Sequence, residues 1–129
     1  MSPRNPQILV VDDEPGLCDL ACIWLRSLGY DVEGVNSPQQ ALGRLAEGEY
    51  EILFSDVVMP GTLDGIALAR AAERIRPGIP ILLMSGFPGQ PGKRQAPPTL
   101  PWRLLHKPFR QAELAAAILD VLAEPARRA

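Results

Sequence analysis

Four apolar segments of the chain each end in a residue able to do chemistry. Ile8-Leu9-Val10-Val11 runs into Asp12-Asp13, Glu51-Ile52-Leu53-Phe54-Ser55 into Asp56, Ile79 to Met84 into Ser85, and Arg103 to His106 into Lys107-Pro108. If those ends meet, three carboxylates share one small volume. At an effective dielectric near 20, two unit charges about 4 Å apart repel by roughly 4 kcal/mol, so such a cluster must take up protons or bind a cation. Oxygen donors with open positions favour Mg²⁺, which keeps several waters and completes its shell with phosphate oxygens. A lysine beside them and a hydroxyl on the next segment would complete a phosphoryl site. Singly the residues are ordinary. An aspartate at a strand end is most often a helix cap, Ser85 before Gly86 a turn residue, and Lys107 a solvated charge. Their joint placement at four segment ends carries the reading.

The elements that must position them alternate strand and helix. Ile8 to Val11 is apolar throughout and β-branched but for Leu9, the pattern of a strand buried on both faces. Pro15 suits the first turn of a helix, whose apolar residues Leu17, Leu20, Ala21, Trp24, Leu25 and Leu28 follow at three- and four-residue steps until Gly29. Asp31 to Val35 is a weak second strand. Ser37-Pro38-Gln39-Gln40 reads as a capping box opening a helix with Ala41, Leu42 and Leu45 that stops at Gly48. Glu51 to Asp56 is a third strand, Ile66 to Ile75 a helix ended by Pro77-Gly78, and Ile79 to Met84 a fourth strand. Arg103 to His106 is a short fifth strand, and Leu114, Ile118, Val121 and Leu122 mark a last helix. Such alternation predicts a doubly wound α/β fold, with its chemistry at the C-terminal ends of parallel strands. One stretch breaks the rhythm: Gly86 to Pro101 holds five prolines and three glycines among sixteen residues. An internal proline costs a helix roughly 3 kcal/mol, so a long irregular loop is expected where the fourth helix would lie.

At 129 residues, 47% hydrophobic and 22% charged, the chain suits one cored domain. No apolar run is long enough to cross a bilayer, and the polar, proline-containing start is wrong for a secretory signal; a cytoplasmic protein is expected. Cys18 and Cys22 are neither a disulfide framework nor a zinc pattern, and read as reduced packing residues. Residues 1–69 carry eleven acids and three bases, residues 70–129 four acids and ten bases. The net charge of −2 and pI of 5.4 speak against binding a polyanion such as nucleic acid. His106 has no second histidine to form a metal set, and Arg127-Arg128 is a solvated tail.

Val11-Asp12-Asp13-Glu14, Asp56-Val57-Val58-Met59-Pro60, Asp64-Gly65, Met84-Ser85-Gly86 and Lys107-Pro108-Phe109, in this order and at these separations, resemble the receiver domain of two-component response regulators and hybrid histidine kinases. The resemblance implies a flavodoxin-like sheet of five parallel strands in the order 2-1-3-4-5. The expected bounds are a receiver domain over 7–124, an N-terminal extension over 1–6 and a tail over 125–129. Asp56 would be the phosphoacceptor, attacking a phosphohistidine on a histidine kinase or histidine phosphotransfer protein to give an aspartyl phosphate. Asp13, Asp56 and the backbone carbonyl of Val58 would ligate Mg²⁺, with Mn²⁺ as the alternative ion, and Asp12 would act largely through a metal-bound water. Lys107, held by a cis peptide before Pro108, would pair with the phosphoryl oxygens. Ser85 would hydrogen-bond one of them and draw its loop inward. The resemblance thus implies a self-phosphorylating acceptor and not a turnover enzyme. Monomers or weak dimers are expected, with no direct nucleic-acid or membrane partner.

Three features depart from the family's common pattern. Leu104 stands where an aromatic usually precedes the lysine by three residues; Trp102, two positions earlier, faces the same side of the strand. The loop Met59-Pro60-Gly61-Thr62-Leu63 is one residue longer than the commonest form, as in hybrid-kinase receivers. The Gly86–Pro101 stretch replaces a helix of the usual dimerisation face, so dimerisation through that face is not expected. Val58 and Phe87, two residues beyond acceptor and hydroxyl, are apolar and cannot orient an attacking water, which implies slow loss of the phosphoryl group. The chain leaves no room for an output domain, which suits either a stand-alone regulator or a receiver cut from a hybrid kinase. The competing reading is a degenerate receiver acting as a phosphorylation-independent binding module. An aspartyl-nucleophile phosphatase would need a second acid at Val58, and a nucleotide-binding fold would need a glycine-rich loop after the first strand.

Overall fold

The computed structural model describes residues 7–59, 64–86 and 101–123. Its elements run β1 (Gln7–Val11), α1 (Pro15–Ser27), β2 (Asp31–Val35), α2 (Pro38–Glu47), β3 (Ile52–Asp56), α3 (Gly65–Ile75), β4 (Ile81–Ser85), β5 (Arg103–His106) and α4 (Gln111–Ala123). The five strands form one sheet in the order β2-β1-β3-β4-β5, every pair parallel. Strand order and direction are those expected from the sequence. The extension, the tail, the longer loop at 60–63 and the proline-rich stretch at 87–100 lie outside the described residues.

Alternation along each strand divides the core in two. Leu9, Val11, Leu53, Ile81 and Leu83 pack toward α2 and α3, with Leu45, Leu68 and Ala72. Ile8, Val10, Ile52, Phe54, Leu82 and Met84 pack toward α1 and α4, with Leu25, Leu114 and Ile118. The central strands are therefore buried on both faces, as their unbroken apolar runs require. Two helices, α2 and α3, start at side-chain caps. Ser37 Oγ accepts from Gln40 N–H at 3.2 Å and Asp64 Oδ1 from Ala67 N–H at 2.9 Å. The box at α2 is displaced by one residue on its return side, because Gln40 Oε1 accepts from Asn36 N–H at 3.0 Å. Gly29, with φ of 98°, turns the chain out of α1.

In α1 the buried face differs from the expected stripe. Cys18, Ala21, Cys22 and Leu25 are buried, whereas Leu17, Leu20 and Leu28 are each at least 40% exposed. The helix meets the sheet on its small residues, which let it approach closely. Trp24 is half-buried at the margin, edge-on to Phe109 with ring centroids 6.2 Å apart.

Candidate functional site

The sheet's register brings the chemical residues to one edge. Asp12 follows β1 and Asp56 ends β3, and these two strands are hydrogen-bonded neighbours at the centre of the sheet. Carboxylate oxygens of Asp12, Asp13 and Asp56 all lie within 4.8 Å of one another. Asp12 and Asp56 are buried, at 1% and 2% exposure. From the far edge strand Lys107 reaches across, its Nζ donating to Asp12 Oδ2 at 3.1 Å and to Asp56 Oδ2 at 3.0 Å.

Backbone holds Asp12 and Asp56 in place. Asp12 N–H donates to the Val35 carbonyl at 3.2 Å, and Asp12 Oδ1 accepts from the N–H of Glu14, which opens α1, at 3.0 Å. Asp56 Oδ1 accepts from Val58 N–H at 3.3 Å, and Val57 N–H donates to the Met84 carbonyl at 2.8 Å. Lys107 N–H donates to the Ser85 carbonyl at 2.8 Å, tying the lysine's backbone to the end of β4. The Lys107–Pro108 bond is cis. Behind it Phe109 packs against Phe54 and Trp24.

Burial pushes the Asp56 carboxyl above the ordinary aspartate range, and the neighbouring Asp12 charge adds to this; the Lys107 ammonium opposes them without reversing the net direction. Burial alone would lower Lys107, but Asp56 and Asp12 outweigh it and hold its proton more tightly than usual. Among the described residues three carboxylates face one ammonium, which leaves the cluster short of positive charge. Asp13 Oδ1 is buried without a hydrogen-bond partner among the described residues. A hard divalent cation fits both facts, since it supplies charge and takes oxygen ligands.

Ser85 is buried at the end of β4, its hydroxyl donating to the Gly86 carbonyl at 3.2 Å. Leu104 is half-buried. Trp102 packs with it on the α2–α3 side of the sheet, its indole N–H donating to Glu73 Oε2 of α3 at 3.2 Å. His106 is exposed, and Phe87 lies outside the described residues.

Asn36 was not singled out by sequence, and Gly65 was quoted there without its role. Asn36 Nδ2 donates to the Asp12 carbonyl at 3.0 Å, bracing the acid pair from the end of β2. Gly65 admits no side chain: a Cβ there would lie 1.9 Å from the Asp56 carbonyl oxygen and 2.8 Å from Val57 Cα. Its N–H donates to the Val57 carbonyl at 2.8 Å, so α3 begins against the backbone that carries Asp56. The Asp64-Gly65 pair was visible in the sequence, but the contact that demands glycine is long-range.

Residues 8–119 match the family model of the response regulator receiver domain. The chain is 37% identical to the transcriptional regulatory protein ZraR of Escherichia coli (strain K12) over 67% of its own length, covering 20% of that protein. It is 33% identical to the sensor kinase CckA of Brucella abortus (strain 2308) over 89% of its length, covering 12% of that protein. The chain thus spans a fifth or less of either relative. Among solved structures, a response regulator receiver protein from Sinorhizobium medicae WSM419 superposes with a TM-score of 0.78 at 28% identity, covering 94% of this chain and 97% of the other.

Proposed function

Since the chain belongs to the response regulator receiver family of two-component systems, we propose that Asp56 accepts a phosphoryl group from a phosphohistidine on a histidine kinase or histidine phosphotransfer protein. The observation that carries this reading is the pairing of the buried Asp56 carboxylate with Lys107 Nζ, 3.0 Å away, inside a three-carboxylate cluster. An Asp56 oxygen attacks the donor's phosphorus, the P–N bond breaks, and an acyl phosphate forms. Asp13, Asp56 and the Val58 carbonyl would hold Mg²⁺ or Mn²⁺, with Asp12 in the outer sphere. The bound ion would neutralise charge on the transferring group. Lys107 moves its donors from the carboxylates to the new phosphoryl oxygens. Ser85 exchanges the Gly86 carbonyl for another of them, drawing in the backbone that follows β4.

Val58 places an apolar side chain beside the acceptor, where it cannot orient water, so the phosphoryl group is long-lived and the chain is not a turnover enzyme. Leu104 favours a second reading, a phosphorylation-independent binding module, because it is smaller than the aromatic common at that place. The two separate in one experiment. The chain and its Asp56→Asn variant are incubated with a small phosphodonor and Mg²⁺, and intact mass is recorded. Uptake of one base-labile phosphoryl group by the parent chain alone supports the acceptor; no uptake by either leaves the binding module.

A further inference from the structure

The two cysteines take no part in the Asp56 pocket. Both are buried on the face of α1 that packs beneath the sheet, and both are free thiols. Their sulfurs converge on one point. A Cβ built at Gly34 would lie 2.9 Å from Cys18 Sγ and 2.9 Å from Cys22 Sγ. Gly34 is an exposed residue of β2, the edge strand, so the pair sits directly under a position with no side chain. Cys18 S–H points at the Val35 carbonyl, 3.7 Å away. A shortage of aliphatic residues does not explain the choice, because α1 leaves Leu17, Leu20, Ile23 and Leu28 exposed.

A disulfide does not fit this spacing. Helix positions i and i+4 keep their Cβ atoms about 5–6 Å apart, and a disulfide needs about 3.5–4.5 Å. A shared soft ion does fit, because each sulfur bonds to the ion and not to its neighbour. Zn²⁺ would call for four ligands, and the cluster of ligating side chains found among the described residues is the aspartate triad, not this pair. Two thiolates alone suit a soft cation of low coordination number. We propose that Cys18 and Cys22 form a two-coordinate site for a soft monovalent cation of the copper(I) or silver(I) type, seated under Gly34. Binding forms two sulfur–metal bonds, both S–H protons pass to solvent, and no electron changes hands. Arg26, one turn beyond Cys22, lies close enough for its charge to act on that thiol and offsets part of the resulting negative charge.

The test uses the whole chain, in buffer free of chloride and added thiols, titrated with silver nitrate and read by native mass spectrometry. One retained ion per chain is expected, and a pH indicator in weakly buffered solution should record two protons released for each ion bound. Cys18→Ala and Cys22→Ala should each weaken retention about tenfold or more. Gly34→Ala, which keeps both thiols but sets a methyl against them, should do the same. A parent chain that retains no ion overturns the proposal. So does a Cys18→Ala/Cys22→Ala chain that binds silver as well as the parent, which would place the ion on Met59, Met84 or His106. The proton release is read on the parent alone, and its absence overturns the site even if a variant fails to fold.

Discussion

Among the described residues Lys107 is the one cation that touches both Asp12 and Asp56, and all three are largely buried. Breaking such a buried arrangement by removing one partner costs about 3–5 kcal/mol, since the remaining charges stay desolvated and unpaired. Lys107→Met keeps the stem and removes the ammonium. In metal-free buffer it should lose about 3 kcal/mol in urea unfolding, and Mg²⁺ should then stabilise it more than it stabilises the parent. Equal stabilisation of the two would mean that ammonium and metal do not share a field. A second residue gives a prediction in pH. Burial and its bond to Glu33 push Tyr50 up to about 12 from the ordinary 10.0. The phenol therefore ionises in the unfolded chain before it does so in the folded one. Its contribution is complete below pH 10 and falls as pH rises through about 12. Tyr50→Phe should abolish the part of the alkaline loss that lies between those values, measured by urea unfolding at pH 9 and pH 11.5.

At the scale of elements, what local chemistry determines was legible and what long-range contact determines was not. Four of the strands could be read because each is an apolar run ending in a polar residue, and the cap of α2 because Ser37 satisfies a donor three residues away. The joint placement of Asp12, Asp13, Asp56 and Lys107 could also be read, since parallel order brings strand ends together. The buried face of α1 could not. Its apolar arc is wide, and nothing in hydropathy says that the sheet takes the sulfurs and leaves the leucines out. Nor could the reason for Gly65, which depends on α3 starting against Asp56. That contact makes a signed prediction. By helix propensity, Gly65→Ala should gain up to about 1 kcal/mol. Here the added methyl meets the Asp56 carbonyl at 1.9 Å, so the sterics win. A net loss of about 1–3 kcal/mol is expected, with a larger fractional loss of phosphoryl uptake because the displaced backbone is the acceptor's own. A stabilised variant with unchanged labelling would show that α3 can retreat freely.

For the molecule as a whole, the position of the acid cluster ties the cation to the fold. Asp12 and Asp13 extend β1, the strand flanked by β2 and β3, and Asp56 ends β3, flanked by β1 and β4. Lys107 joins the same cluster from beyond β5. A ligand of this cluster therefore holds together segments that enter it from opposite halves of the chain, and the unfolded chain has no such arrangement to bind. Binding to the folded state alone stabilises by about 2.7 kcal/mol at a hundredfold excess over Kd. In a domain of this size that is on the order of 10 °C in Tm. Mg²⁺ should produce this rise in the parent chain at constant ionic strength. Asp13→Asn should remove most of it, since Asp13 contributes the buried oxygen that has no hydrogen-bond partner among the described residues. That variant should nevertheless unfold no earlier than the parent without Mg²⁺, because it relieves repulsion among the three acids. Simple screening would act alike on both chains and on any salt. A Mg²⁺-specific shift confined to the chain with all three carboxylates is the result that only a built cation site produces.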